Sequence, residues 1–492
     1  MTDDSGPSAS GGCDMTTDRR ITGRHQDDVS GSLMLLFSLA VFVPLMIVVR
    51  VCAGHWFHPG AMFAAYWMIG TAVPSAVYDR ESTYRALIYI AVGVAAFSLG
   101  SLVVTFTRSP LPNLAGAVPR PRSNTRQRIL LWTMAAGTIS GIVASILSIR
   151  AQNVSIGNYS SLDELLIVPH QVAVGRYDNL LTSGASNGQR AVSALLSITY
   201  CAALCAPFLA LMRIRFRRAW MLAPLASLVI YGFTTTARAG MVSGVFLWFS
   251  GYVAMRILRD GRPPRITARG VACTAGAILA VTALFAFIAF LRIGAFDANS
   301  ASIVRSRVAV YALGYQPAFS EWLERRALAD ERPLGLGSAS VAGVSVVTGQ
   351  SRRDFRPYEE FVVVDEQGST TNIYTIFRGV LIDFGRSGGV LVLFLFGVSA
   401  GAAYRAAMRH RSATAAMILA CCYNIILWSS TMSIIHYSNV LAAAIAGVLI
   451  LNAALGSRPT NWARTSAGVG HVQVGQSAVV PRAPTTSGRV PS

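Results

Sequence analysis

The stretch Ser369-Thr-Thr-Asn-Ile-Tyr-Thr-Ile-Phe-Arg-Gly-Val-Leu-Ile-Asp-Phe-Gly-Arg-Ser-Gly-Gly389 runs directly into an apolar segment at 388–404. Thr371, Tyr374, Thr375 and Arg378 recur at steps of three and four, so a helix here would carry them as one polar stripe. Ile373, Phe377, Val380 and Leu381 fall largely off that stripe. Arg378 and Asp383 therefore stand at the mouth of a membrane core, where a charge must be paired or used.

Outward from this stretch, further apolar runs lie at about 31–49, 60–78, 86–105, 129–149, 191–212, 220–233, 239–255, 271–291, 414–434 and 439–455. With 388–404 they make about eleven, most near the ~20 residues that cross a hydrocarbon layer. The composition agrees: 53% of the 492 residues are hydrophobic and only 13% charged, against about 25% in soluble domains. The expected fold is an all-α polytopic integral membrane protein with about 11 transmembrane helices (10–12) and a large extracytoplasmic loop containing an amphipathic helix. The chain divides into a polar tail at 1–29, a first membrane bundle of about eight spans at 30–291, the large loop at 292–387, three last spans at 388–456, and a second polar tail at 457–492. Both tails are rich in small polar residues without periodicity and read as disordered. The first bundle includes an outer loop near 150–190.

The net charge of +19 is carried by arginine alone, since the sequence has no lysine. The arginines cluster in short loops: Arg213, Arg215, Arg217 and Arg218; Arg256, Arg259, Arg262, Arg265 and Arg269; Arg405, Arg409 and Arg411. That distribution is a topology signal with attraction to anionic membrane lipids, and it argues against nucleic acid as a partner. All three loops fall on one side of the span count, which makes that side cytoplasmic and puts 150–190 and 292–387 outside. The count also exports the N-terminus, although Arg19, Arg20 and Arg24 favour the cytoplasm. Either the tail is exported or one of the first two apolar runs fails to span.

Within the large loop, Val308, Tyr311, Tyr315, Phe319 and Trp322 form an apolar stripe opposite Arg305, Arg307, Glu321, Glu324 and Arg325. This predicts one helix at 303–328 lying along the outer membrane surface. The glycine-rich segment 335–349 reads as flexible. No Asp-x-Asp pair, His cluster or cysteine spacing suggests a metal, and no cofactor is expected.

The run Thr371-Asn372-Ile373-Tyr374-Thr375, followed by Asp383-Phe384-Gly385 and Gly388, resembles the signature of Wzy-type oligosaccharide repeat-unit polymerases. A looser likeness covers roughly residues 30 to 455, with an arginine-bearing turn at 234–240. The resemblance implies a membrane glycosyltransferase of the cytoplasmic membrane that transfers a growing glycan en bloc from polyprenyl pyrophosphate to the next lipid-linked repeat unit. It implies partners of three kinds: polyprenyl-pyrophosphate-linked oligosaccharides, a flippase and a chain-length regulator.

On that reading Arg238, Arg292 and Arg378 bind pyrophosphate, since guanidinium groups grip phosphate oxygens by forked pairs. Asp383 or His436 would orient or deprotonate the acceptor hydroxyl, and Asn372, Tyr374 and Thr375 would contact sugar. Plainer roles stand beside these: interface anchoring for Arg238, the end of a span for Arg292, an ion pair for Arg378 and Asp383, a satisfied interfacial histidine for His436, and helix-start capping and packing for Asn372, Tyr374 and Thr375. A ligase that moves finished glycan, and a transporter or flippase for it, are the rival functions. The absence of an internal repeat weighs against the transporter.

Overall fold

The computed structural model describes residues 24–78, 83–106, 124–151, 171–172, 187–212, 214–293, 297–327, 334–348, 361–364 and 368–455. The polar tails before residue 24 and after 455, most of 150–190, and the mixed-charge segment 349–360 lie outside them. The apolar runs become α1 (Arg24–Ala53), α2 (Pro59–Val77), α3 (Tyr84–Phe106), α4 (Asn124–Arg150), α5 (Asn187–Cys205), α6 (Arg217–Thr235), α7 (Arg238–Asp260) and α8 (Ala268–Ile293). The segment between the eighth and ninth of these apolar runs holds α9 (Ala298–Leu313), α10 (Tyr315–Ala327), a short α11 (Val344–Thr348), and a two-residue hairpin of β1 (Val362–Val363) and β2 (Thr370–Thr371). The chain ends in α12 (Ile376–Arg409), α13 (Ala413–Trp428) and α14 (Ser438–Leu455).

Nine of these helices, among the described residues, are long and apolar enough to cross a membrane: α1 to α5, α7, α8, α12 and α14. The protein is therefore an all-α, multi-pass membrane protein. The two remaining expected spans are also helical: α13 is apolar but shorter, and α6 opens on Arg217 and Arg218. Both of the first two apolar runs form helices of spanning length.

The densest pairing is α3 against α12, and glycine makes it possible. A Cβ on Gly397 would strike the backbone of Phe97, and one on Gly401 the backbone of Ser101. From the other side, a Cβ on Gly100 would meet the Phe394 carbonyl and the Val398 nitrogen. Such small-residue seams let helices pack backbone to backbone where lipid offers no hydrophobic drive for association.

The two ends of α3 define two faces of the bundle. At its last turn Val104 accepts a hydrogen bond from Arg405 Nη1 at 2.7 Å, and Thr105 pairs with His58 at 3.0 Å. Arg411 Nη1 reaches the Leu258 carbonyl at 2.6 Å nearby, so arginine-rich loops share this end. At the other end, the Thr83 N–H donates to Ser320 of α10, and Phe377 packs its ring near Tyr89, 6.2 Å away. The motif therefore sits at the end opposite the arginine-rich one.

Three expectations differ in detail. The polar stripe is not helical throughout, because α12 begins only at Ile376, with Thr375 as its N-cap and Thr371 in β2. The predicted 303–328 helix is two helices meeting at Gly314, where Pro317 lacks the N–H that would continue the ladder to Leu313. Its apolar face turns onto protein: Tyr315, Phe319 and Trp322 are buried, and Gln316 Nε2 donates to Ser75 of α2 at 2.9 Å. The glycine-rich segment is held rather than loose, with Ser338, Ala339 and Ser340 buried. An anchor from α12, described below, supplies the reason.

Candidate functional site

Gly385 divides α12. Its φ of 68° and ψ of −171° are open to glycine and closed to residues with a Cβ, and they break the helix between the motif turns and the long apolar run. The first segment carries Arg378 against Trp322 of α10 and Asp383 against the turn at Ala339 and Ser340. Ser429 stands in for a missing side-chain cap: its carbonyl accepts the Ile376 N–H at 2.8 Å. That bond joins the start of α12 to the end of α13.

Arg378 is 3% exposed. Its guanidinium carbon lies 3.7 Å from the centroid of Tyr374 and 5.0 Å from that of Trp322 on α10. Arg238 repeats the arrangement in another place. It opens α7 after a tight turn in which Thr236 takes a left-handed φ of 51°, and it is 6% exposed. Its guanidinium lies 4.6 Å from Phe285 of α8 and 4.7 Å from Tyr311 of α9. Aromatic faces attract a cation through their quadrupole, by about 2 kcal/mol or more when desolvated.

Arg292, half-buried, follows Phe285 by seven residues, two turns further along the same side of α8. Helices α9 and α10 supply one ring each, Tyr311 to Arg238 and Trp322 to Arg378. Arg238 and Arg378 are thus each held against aromatic rings, with one ring apiece from α9 and α10. Asp297 fixes the start of α9: its Oδ1 accepts the Ser300 N–H at 2.6 Å, which holds the carboxyl below the usual range.

Asp383 is fully buried, and its two oxygens accept the N–H groups of Ala339 and Ser340 at 2.9 and 2.7 Å. Its backbone carbonyl takes the Leu336 N–H at 3.0 Å. This carboxylate pins the glycine-rich turn to α12. The far side of the same turn holds the His436 segment. Ser433 Oγ donates to the Ser340 carbonyl at 2.7 Å, and Ala342 N–H to that of Ile435 at 2.9 Å. Asp383 and His436, which is also buried, thus flank one turn.

The sugar-contact candidates divide. Tyr374 lies under Arg378, Thr375 is buried at the N-cap, and Asn372 is half-buried. Trp322, Tyr311 and Phe285 read in the sequence only as apolar stripe or span residues, yet they hold the arginines. Their signal was the recurrence of aromatic residues on the same segments as the arginines. No three His, Cys, Asp or Glu side chains among the described residues come together as a metal site.

Comparison of the chain with protein-family models, with curated proteins and with solved structures finds no match to any of them.

Proposed function

We propose that this protein is a membrane glycosyltransferase that polymerises polyprenyl-pyrophosphate-linked oligosaccharide repeat units at the outer face of the cytoplasmic membrane. The observation that carries this reading is Arg378, buried on Tyr374 within the motif and braced by Trp322 from the outer loop. The arginine-rich end is the cytoplasmic one by the positive-inside rule, which puts the motif on the outer side.

In the proposed reaction the acceptor hydroxyl oxygen attacks the anomeric carbon of the donor glycan. The bond from that carbon to pyrophosphate breaks, and the electron pair leaves with the polyprenyl pyrophosphate. Arg238, Arg292 and Arg378 stabilise the charge that grows on the leaving group, a task suited to always-charged, preorganised groups. His436 takes or orients the acceptor proton. Asp383 acts through the turn it holds, because its oxygens are already occupied by N–H donors. Tyr374, Thr375 and Asn372 contact sugar at the motif.

Purified protein in liposomes, given lipid-linked repeat units facing the site, tests this directly. The expected result is lengthened glycan. Arg238→Ala and Arg238→Lys should both leave single units, because a point charge does not replace the forked guanidinium. Long chains from the alanine variant would remove Arg238 from the mechanism. No lengthening by the wild-type protein would reject the function.

A further inference from the structure

The turn between α5 and α6, at the end opposite the motif, contains Arg215-Phe216-Arg217-Arg218. Phe216 has a φ of 58°, a left-handed conformation that costs a side-chain-bearing residue about 1–2 kcal/mol. Its ring is 69% exposed. Arg215 lies 5.0 Å from its centroid.

The arginines here differ from Arg256, Arg259, Arg405 and Arg411 on the same face. Arg256 and Arg259 share Asp260 at 3.0 and 2.7 Å, while Arg405 and Arg411 donate to backbone carbonyls. Arg215, Arg217 and Arg218 are exposed and make no ion pair or side-chain hydrogen bond among the described residues. The sequence offers them no local acid: no aspartate or glutamate lies between Asp178 and Asp260. Below Arg218, at four-residue steps along α6, Leu222, Ala226 and Ile230 are all exposed. One side of the helix therefore reads cation first and hydrocarbon after. Trp220, also exposed, adds a second ring at interface depth.

We infer that this turn is a binding site for one anionic phospholipid, its phosphate on Arg215, Arg217 and Arg218 and an acyl chain along Leu222, Ala226 and Ile230. Phe216 fills the level between headgroup and chain. The charge order along α6 matches an amphiphile, and a soluble phosphate would leave the apolar part of that order unexplained.

Native mass spectrometry of the full-length protein tests this, with phosphatidylglycerol and phosphatidylcholine of identical acyl chains as probes. The wild type should retain phosphatidylglycerol preferentially. Replacing Arg215, Arg217 and Arg218 together by Gln should weaken retention about tenfold or more. The same replacement at Arg262, Arg265 and Arg269 is the charge-matched control and should leave retention unchanged. Phe216→Gly relieves the backbone strain, so thermal stability should hold or rise while lipid retention falls; a purely structural role would move the two together. Equal loss in both triple variants, no preference for phosphatidylglycerol, or full displacement by inorganic phosphate would overturn the assignment.

Discussion

The Tyr315 hydroxyl donates a hydrogen bond to the Gly70 carbonyl at 2.7 Å, and Pro74 is the reason that carbonyl is available. Proline has no N–H, so the fourth residue back in α2 loses its helical donor. A side chain of α10 supplies the replacement at a buried position. Burial pushes the Tyr315 hydroxyl well above its ordinary range, which keeps it a neutral donor at any physiological pH. Tyr315→Phe should cost about 1–3 kcal/mol, because it leaves a buried carbonyl unsatisfied. Since α10 also carries Trp322 against Arg378, the proposed glycan lengthening should fall with it. A thermal unfolding midpoint equal to wild type would show that the bond is not holding α10.

The Asp383 carboxylate offers a sharper test of positioning against chemistry. Asp383→Ala strands the buried Ala339 and Ser340 N–H groups, at about 1–3 kcal/mol for each. Asp383→Asn keeps one acceptor oxygen but sets an amide NH2 against the other donor, so its loss should be of similar sign and smaller. Hydrogen exchange over 335–343 should accelerate in both variants, more in the alanine one. Unchanged protection in Asp383→Ala would mean that the turn is held by something else.

Much of the bundle was legible because crossing hydrocarbon demands long apolar runs, and every expected run became a helix. The contacts that build the site were not. The start of the motif read as helical because its spacing fits a helix, but the Ile376 N–H bonds to Ser429, and helical geometry begins only there. Glycine content marked 335–349 as free, since composition reports backbone freedom and not the carboxylate on α12 that removes it. Tyr374 and Trp322 meet over Arg378 from separate elements, a pairing no local periodicity encodes.

The glycine seam between α3 and α12 should be the least forgiving part of the bundle. At Gly397 and Gly401 an added side chain meets backbone atoms of Phe97 and Ser101, which cannot rotate away as a side chain would. Gly397→Leu and Gly401→Leu should each destabilise by several kcal/mol or abolish folded protein, above the ~1–3 kcal/mol usual for core overpacking. Gly276→Leu is the control, as nothing lies within 4 Å of a Cβ there. Size-exclusion profiles and unfolding midpoints in detergent would decide; equal behaviour of all three would refute the close backbone approach.

His58 predicts how stability responds to acid. It lies between α1 and α2 with Nε2 3.0 Å from Thr105 Oγ1, and its ring is 5.1 Å from that of Tyr404. Burial lowers its pKa from 6.5 to about 4. Between those values the unfolded chain binds the proton and the folded chain does not, so stability is full above pH 6.5 and falls as pH drops toward 4. The lowered pKa of His55, set by burial and by Arg50, acts in the same direction. A shift of this size corresponds to about 3 kcal/mol across the window. His58→Gln keeps a hydrogen-bonding side chain and cannot take up the proton, so its unfolding midpoint should vary much less from pH 6.5 to 4. An undiminished slope in that variant would assign the acid sensitivity to other groups, and would mean that the neutral imidazole is not what holds the start of α2 against Thr105.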